Sequence, residues 1–285
     1  MNVVLRITTD QRSFILKQSR PYVARYKQIE APLERIAVEK KFYQALRDNA
    51  VNAHIPKILG YDAAESLLIL EDLGHCKDMT YIYKDEAISA RWLDRLVFIL
   101  GLIHRKSVAS DFPENLEMRR LNHQHIFVLP FLEDNGFQLD DIQTGLQELS
   151  LPFKKDTAVK SVVEKVGKKY LSPGNSLLHG DYYPGSWMTE SENLYVIDPE
   201  FSFSGLPEFD LGVMAAHIIM ATGKKSFLNR IYSVYQGEAD KKLMSQVAGI
   251  EIIRRLIGLA QLPMKRSLKE KDKLLRKARK LVLTS

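Results

Sequence analysis

The chain of 285 residues holds a single cysteine, Cys76. A lone thiol closes no intrachain disulfide, so a disulfide-stapled scaffold is excluded. No N-terminal stretch pairs a basic flank with an uninterrupted apolar run, which removes a secretory leader from the reading. The longest apolar stretch, residues 211–221, is broken by Gly212 and His217 and falls short of the roughly 18 residues that a membrane span needs. Internal repeats and low-complexity tracts are missing as well. His104, His123, His125 and His217 stand at no metal-ligand spacing with a cysteine or carboxylate, and read as ordinary core or surface histidines. A cytoplasmic globular protein without a membrane partner is expected.

What is present is 45% apolar and 27% charged residues, a balance that buries a sizeable core. The formal charge of +6 is local: nine Lys or Arg between Lys265 and Val282 face only Glu270 and Asp272. The rest of the chain is therefore close to neutral. Leu268, Leu275, Ala278 and Val282 recur at helical spacing in that segment, which predicts a docked helix with a solvated basic face rather than a nucleic-acid surface.

Val3 to Thr8 and Ser13 to Gln18 are β-rich runs around a polar turn, 9–12, and predict a hairpin. After Pro32, apolar residues from Leu33 to Arg47 follow a helical stripe, and strands are predicted over Lys57 to Tyr61 and Leu67 to Glu71. This is a small α+β unit with an antiparallel sheet. Beyond it the pattern turns helical, most clearly from Ile88 to Lys106, where Ile88, Trp92, Leu96, Ile99, Leu100 and Ile103 mark one face. Short apolar runs at Leu177 to Asp181 and Leu194 to Asp198 read as small strands among helices. The expected division is residues 1–73 and 74–285.

The densest group of chemically capable residues runs His179-Gly180-Asp181-Tyr182-Tyr183-Pro184-Gly185-Ser186, then Ile197-Asp198-Pro199-Glu200, then Phe209-Asp210-Leu211-Gly212. Phosphoryl transfer from ATP needs one carboxylate beside the accepting hydroxyl and another on the metal that neutralises the phosphates. Asp181 and Asp198 have the character for these two roles. Each follows a short apolar run, so neighbouring strand ends are expected to bring both to one cleft.

These motifs resemble those of the aminoglycoside phosphotransferase and choline kinase superfamily, and the likeness covers most of the chain. Ser186 where that pattern has Asn, together with Asp198-Pro199-Glu200-Phe201, Gly205 and Phe209-Asp210, looks most like the methylthioribose kinases. Lys17-Gln18 before Pro21-Tyr22-Val23, and Arg254-Arg255 before Gly258-Leu259-Ala260, add to it. The resemblance implies a two-lobed protein-kinase-like fold, ATP and Mg²⁺ as cofactors, and a small hydroxylated substrate, a sugar such as methylthioribose.

Carried onto this sequence, the likeness makes Asp181 the residue that orients or deprotonates the acceptor. Asp198 becomes the Mg²⁺ ligand, with Glu200 or Ser186 completing or supporting the shell, and Asp210 a structural carboxylate beneath the catalytic loop. His179 is expected to support that loop by hydrogen bonding. Lys17 would reach the ATP phosphates, held by Glu39, Glu34 or Glu30. Glu71 and Leu73 lie in a hinge resembling the one whose backbone holds adenine. One of Arg254 and Arg255 is expected to face the substrate, and the pair Tyr182-Tyr183, Tyr182 foremost, to line its pocket; the alternative is that one ring packs into the helical lobe and the other is exposed. The chain's first glycine is Gly60, so the Gly-rich loop and the strand before it are missing from the expected small lobe, which suggests a shortened N-terminus. That gap, with Ser186, motivates two alternatives: a weakly active or non-catalytic pseudokinase, or a protein whose basic C-terminal helix binds an anionic partner.

Overall fold

The computed structural model describes residues 2–23, 26–47, 50–106 and 112–284. In chain order its elements begin with strands β1 (Val3–Thr8), β2 (Ser13–Gln18), β3 (Tyr22–Val23) and β4 (Tyr26–Glu30), then helix α1 (Arg35–Leu46) and strands β5 (Ile58–Asp62), β6 (Leu67–Glu71) and β7 (Lys77–Asp78). Helices α2 (Ile82–Asp85), α3 (Ala90–His104), α4 (Leu116–His123), α5 (Leu146–Lys154) and α6 (Thr157–Leu171) follow. Strands β8 (Ser176–Leu178), β9 (Trp187–Glu190), β10 (Asn193–Val196) and β11 (Phe203–Gly205) lead to helices α7 (Glu208–Thr222), α8 (Ser226–Val234), α9 (Lys241–Ile257) and α10 (Leu268–Leu283).

The N-terminal sheet is antiparallel in the order β1-β2-β6-β5. Its first turn closes through the Thr9 amide, which donates to the Arg12 carbonyl at 2.8 Å. The Thr9 hydroxyl accepts from the Arg12 amide at 3.1 Å, a local bond that fixes such turns. The register sets Lys17 opposite Leu68 on the central pair. Helix α1 packs against this sheet through Ile36, Phe42 and Leu46, all buried. The β3–β4 hairpin, absent from the sequence reading, is a two-residue strand against a five-residue one, too short for a period-2 signal.

The helical part is organised around α7, which is buried on every side from Glu208 to Ala221, as a helix apolar around most of its circumference must be; its Asp210 and His217 are hydrogen-bonded inside. Gly212 lets α9 approach: a Cβ there would lie 2.6 Å from Val247. Helix starts follow capping chemistry. Ser89 caps α3, Asp156 caps α6, Asp240 caps α9, and Ser267 with Glu270 forms a capping box on α10. On α10, Leu275, Ala278 and Val282 are buried while Lys269, Lys273 and Lys280 face outward. Among the described residues no helix is long and apolar enough to cross a membrane.

One expectation about the strands is corrected. β8 pairs with β11 and β10 with β9, so the runs leading to Asp181 and Asp198 are not neighbouring strands. Both end early, at Leu178 and Val196. Gly180 and Asp198 take positive φ, 85° and 69°, which breaks the extended chain just before Asp181 in one segment and at Asp198 itself in the other.

Candidate active site

The side chains at the strand ends converge through buried intermediaries. Lys17, 4% exposed, crosses to α1, where its ammonium donates to both carboxylate oxygens of fully buried Glu39 at 2.8 and 2.7 Å. Of the three glutamates open in the sequence, Glu39 is the one in contact. The same ammonium also bonds the Asp198 carboxylate. Burial opposes charge on Lys17, but Asp198 and Glu39 together hold its pKa above the ordinary range. Glu39 is pushed up to about 7 because burial outweighs its lysine partner. Partial desolvation would raise the Asp198 carboxyl, but the Lys17 charge beside its inner oxygen overcomes this and takes it to about 2, while the rest of the carboxylate stays open. Tyr43 completes this cluster: its hydroxyl donates to Glu39 at 3.2 Å and accepts the Asp198 amide at 3.2 Å. Its signal was in the sequence, as Tyr43 lies four residues after Glu39 on one helical face.

The candidate metal ligands are not equivalent. The Asp198 side chain keeps 43% exposure, an open carboxylate of the hard-oxygen type that Mg²⁺ takes. Glu200 is 3% exposed and ion-paired with Arg35 at 3.4 Å. Arg35 is itself fully buried, donating to the carbonyls of Pro32 and Arg20 at 2.5 and 2.9 Å and to Asn2 at 2.8 Å. Ser186 is 2% exposed and donates to the Asp181 carbonyl at 3.1 Å. Its hydroxyl is thus a brace of the loop in this structure. Among the described residues no three His, Cys, Asp or Glu side chains cluster as a ready metal cage.

His179, fully buried, ties the two aspartate segments together. Its Nδ1 accepts the Asp181 amide at 3.3 Å, so Nε2 carries the proton and donates to the Ile197 carbonyl at 2.9 Å. Burial pushes its pKa below the ordinary value, against the pull of Asp210, and the ring is a neutral staple. Beneath it, Asp210 accepts the amides of His179 at 2.7 Å and Gly180 at 2.9 Å, one on each oxygen. Only glycine fits at 180, because a Cβ would overlap the Phe201 carbonyl.

Asp181 itself is 25% exposed on its side chain and faces both arginines: Arg255 at 3.3 Å and Arg254 at 3.9 Å. Both guanidinium Nε atoms are held by Glu251 of the same helix. Glu251 sits three and four residues before them, a spacing legible as an intrahelical ion pair. Tyr182 is placed away from the cleft: it is fully buried and its hydroxyl donates to the Leu96 carbonyl at 2.9 Å. The ring beside the site is Tyr183, with the Arg255 guanidinium 5.1 Å from its centroid. Glu71 spends its amide on the Lys57 carbonyl at 2.8 Å, whereas half-buried Leu73 lies beyond the last strand pairing.

Two histidines read as ordinary are hydrogen-bonded in the same sense. Tyr235 and Asp210 flank His104 at 2.9 and 3.2 Å. Tyr83 and Glu251 flank His217 at 2.6 and 3.0 Å. Burial lowers His217 from 6.5 to about 4, despite the hydrogen bond it donates to Glu251. Folding therefore favours its neutral form: this contribution is complete above pH 6.5 and is lost as pH falls through about 4. The expected loss approaches about 3 kcal/mol of unfolding free energy for this one group. Denaturant titrations between pH 7.5 and 4 check it, and His217→Gln should flatten part of the slope. An identical slope in that variant would locate the acid sensitivity elsewhere.

Residues 2–244 match the model of the phosphotransferase enzyme family. A methylthioribose kinase of Exiguobacterium sibiricum is 26% identical, across 91% of this chain and 78% of its own length. A methylthioribose kinase of Geobacillus sp. is 25% identical across 98% of this chain and 81% of its own. The fold is that of a spectinomycin phosphotransferase solved with ADP and spectinomycin, at TM-score 0.59 and 16% identity over 99% of this chain and 89% of that one. The choline kinase LicA of Streptococcus pneumoniae superposes at TM-score 0.55 and 15% identity, over 99% and 90%. With a family match that spans the lysine, both aspartate segments and Asp210, the chain belongs to the phosphotransferase enzyme family, as a small-molecule kinase.

Proposed function

We propose that this kinase transfers the γ-phosphoryl group of ATP to a hydroxyl of a small sugar, with methylthioribose as the leading acceptor. The observation that carries the reading is the open Asp181 carboxylate, braced by two guanidinium groups and tied through His179 to the segment bearing Asp198 and its lysine partner. The acceptor assignment rests on the two methylthioribose kinase relatives.

In this reading nucleotide lodges where residues 1–73 meet residues 74–285, with adenine against the backbone at Leu73. Lys17 faces the phosphates, and Glu39 keeps it there. Asp198 is the residue that would hold Mg²⁺, whose chemistry when bound is to neutralise charge on the phosphates. Lys17 must then loosen its hold on Asp198. Glu200 supports the segment through Arg35, and Ser186 braces the Asp181 backbone. Asp181 orients the acceptor hydroxyl and takes its proton as the new O–P bond forms and the bond between the γ-phosphorus and the β-phosphate oxygen breaks, with ADP as the leaving group. Arg254 and Arg255 sit where a polyhydroxyl acceptor meets that carboxylate.

The test is ATP consumption by the purified chain with Mg²⁺ over a panel of sugars, aminoglycosides and amino alcohols. Methylthioribose should give the highest kcat/KM, by about tenfold or more over the others. Preferential turnover of an amino alcohol or aminoglycoside would replace the acceptor. ATP binding with no turnover across the panel would favour the pseudokinase alternative.

A further inference from the structure

A line of buried polar groups runs from α2 to the catalytic carboxylate. Tyr83, His217 and Glu251 are 2%, 0% and 1% exposed and belong to three separate helices, α2, α7 and α9. The Glu251 carboxylate can only accept, so His217 Nε2 carries the proton and donates to it at 3.0 Å. His217 Nδ1 must then accept, and the Tyr83 hydroxyl donates to it at 2.6 Å. Glu251 in turn accepts Arg255 Nε on one oxygen at 2.8 Å and Arg254 Nε on the other. With each planar guanidinium pinned at Nε, its far end points to Asp181.

Packing alone gives no reason for this line. Apolar residues of similar volume join helices at least as well as buried ionic groups do, because desolvation offsets most of the Coulombic gain. What such a chain supplies is orientation. One rotamer of Glu251 satisfies His217 and both arginines, and any other leaves a buried donor unpaired. We propose that Tyr83–His217–Glu251 is a positioning device that fixes the Arg254–Arg255 pair against Asp181, with His217 as its central positioning residue. This rests on the reading of Asp181 as the acceptor-side carboxylate.

The same polarity recurs once more at the site: Tyr235 donates to His104 Nδ1, and His104 Nε2 donates to Asp210. Asp210 holds the backbone on which Asp181 stands, whereas Glu251 holds the cations that touch its carboxylate. His217 lies seven residues after Asp210 on α7, two helical turns along one face. One buried helix thus carries a support for each side of Asp181.

The test compares His217→Leu, His217→Gln and Tyr83→Phe in the full chain. Gln keeps a donor that reaches Glu251, and Phe removes one hydroxyl only. With methylthioribose and ATP, His217→Leu should lower kcat by about 10- to 100-fold, the usual effect of losing such a support. KM for ATP should stay within about twofold, and His217→Gln should recover most of the turnover. Independently of any acceptor, phenylglyoxal should modify Arg254 and Arg255 several times faster in His217→Leu than in wild type or His217→Gln, as read by peptide mass. Wild type without turnover of methylthioribose would remove the acceptor reading alone, and the phenylglyoxal rates would still decide the positioning. Unchanged arginine reactivity in His217→Leu would overturn the proposal. So would a kcat loss that Gln fails to restore and that tracks the unfolding midpoint in all three variants. Tyr83→Phe should show the same pattern, weaker, and guards against His217→Leu failing to fold.

Discussion

Asp181→Asn is expected to lower kcat by about a thousandfold or more, within the range for losing a positioned proton acceptor together with its orienting charge. Nucleotide affinity should stay within about threefold, because Lys17, Glu39 and Asp198 lie on the other side of the site and keep their contacts. The amide still accepts one hydrogen bond from Arg255, so the loop has no reason to move. What it lacks is a charge to set against two guanidinium groups and a place for the acceptor's proton. Folding should be little affected: the Asp181 side chain is partly exposed and its ion pairs are long, 3.3 and 3.9 Å, contacts of the sort that contribute about 0 to 1 kcal/mol. Steady-state kinetics with a calorimetric Mg²⁺-ATP titration on the same preparation reads both halves. Turnover near wild type would take Asp181 out of the chemistry, and lost ATP binding would assign it to the nucleotide side.

The parts of this site that were legible from sequence are those that act through local spacing. Strands β1, β2 and β6 end where alternation and turn residues end them, and the long helix α3 follows its apolar stripe. His179, Asp181, Asp198, Glu200 and Asp210 stand out because they crowd into two short loops and a helix start. What stayed hidden acts across the fold. Arg35 of α1 reaches Glu200, and Tyr43, whose pairing with Glu39 is local, also reaches the distant Asp198 backbone. No period or motif relates residues so far apart along the chain. Which of two adjacent tyrosines enters the core was equally invisible, because a loop has no fixed side-chain alternation. The backbone sends Tyr182 to Leu96 and leaves Tyr183 beside Arg255. The bracing contact of Ser186 was hidden for another reason: a hydroxyl both donates and accepts, and here it donates to the carbonyl of Asp181.

The second large effect is expected at Asp210, and it separates from the first by what else is lost. The carboxylate has two oxygens and uses both on backbone: Oδ2 accepts the His179 amide and His104 Nε2, and Oδ1 accepts the Gly180 amide. The His179 and His104 donors are buried and the Gly180 amide is partly so. Asp210→Ala strands these donors together, and each buried group left without a partner costs about 1 to 3 kcal/mol. A combined loss of about 3 to 5 kcal/mol is expected, a large share of the stability of an ordinary domain. Asp210→Asn is the sharper probe. It matches the carboxylate in volume but replaces one acceptor with an NH₂ group, which must face either the Gly180 amide or the His179 side of the site. One buried donor then opposes another, for about 2 kcal/mol or more. Because Asp181 hangs on this loop, kcat should fall with stability in both variants, unlike Asp181→Asn, where kcat falls alone. Denaturant unfolding and turnover measured on Asp210→Asn decide it. A variant as stable as wild type would mean that the loop is held by His179 and Ser186 alone. A variant that loses stability but keeps its turnover would uncouple Asp210 from the placement of Asp181.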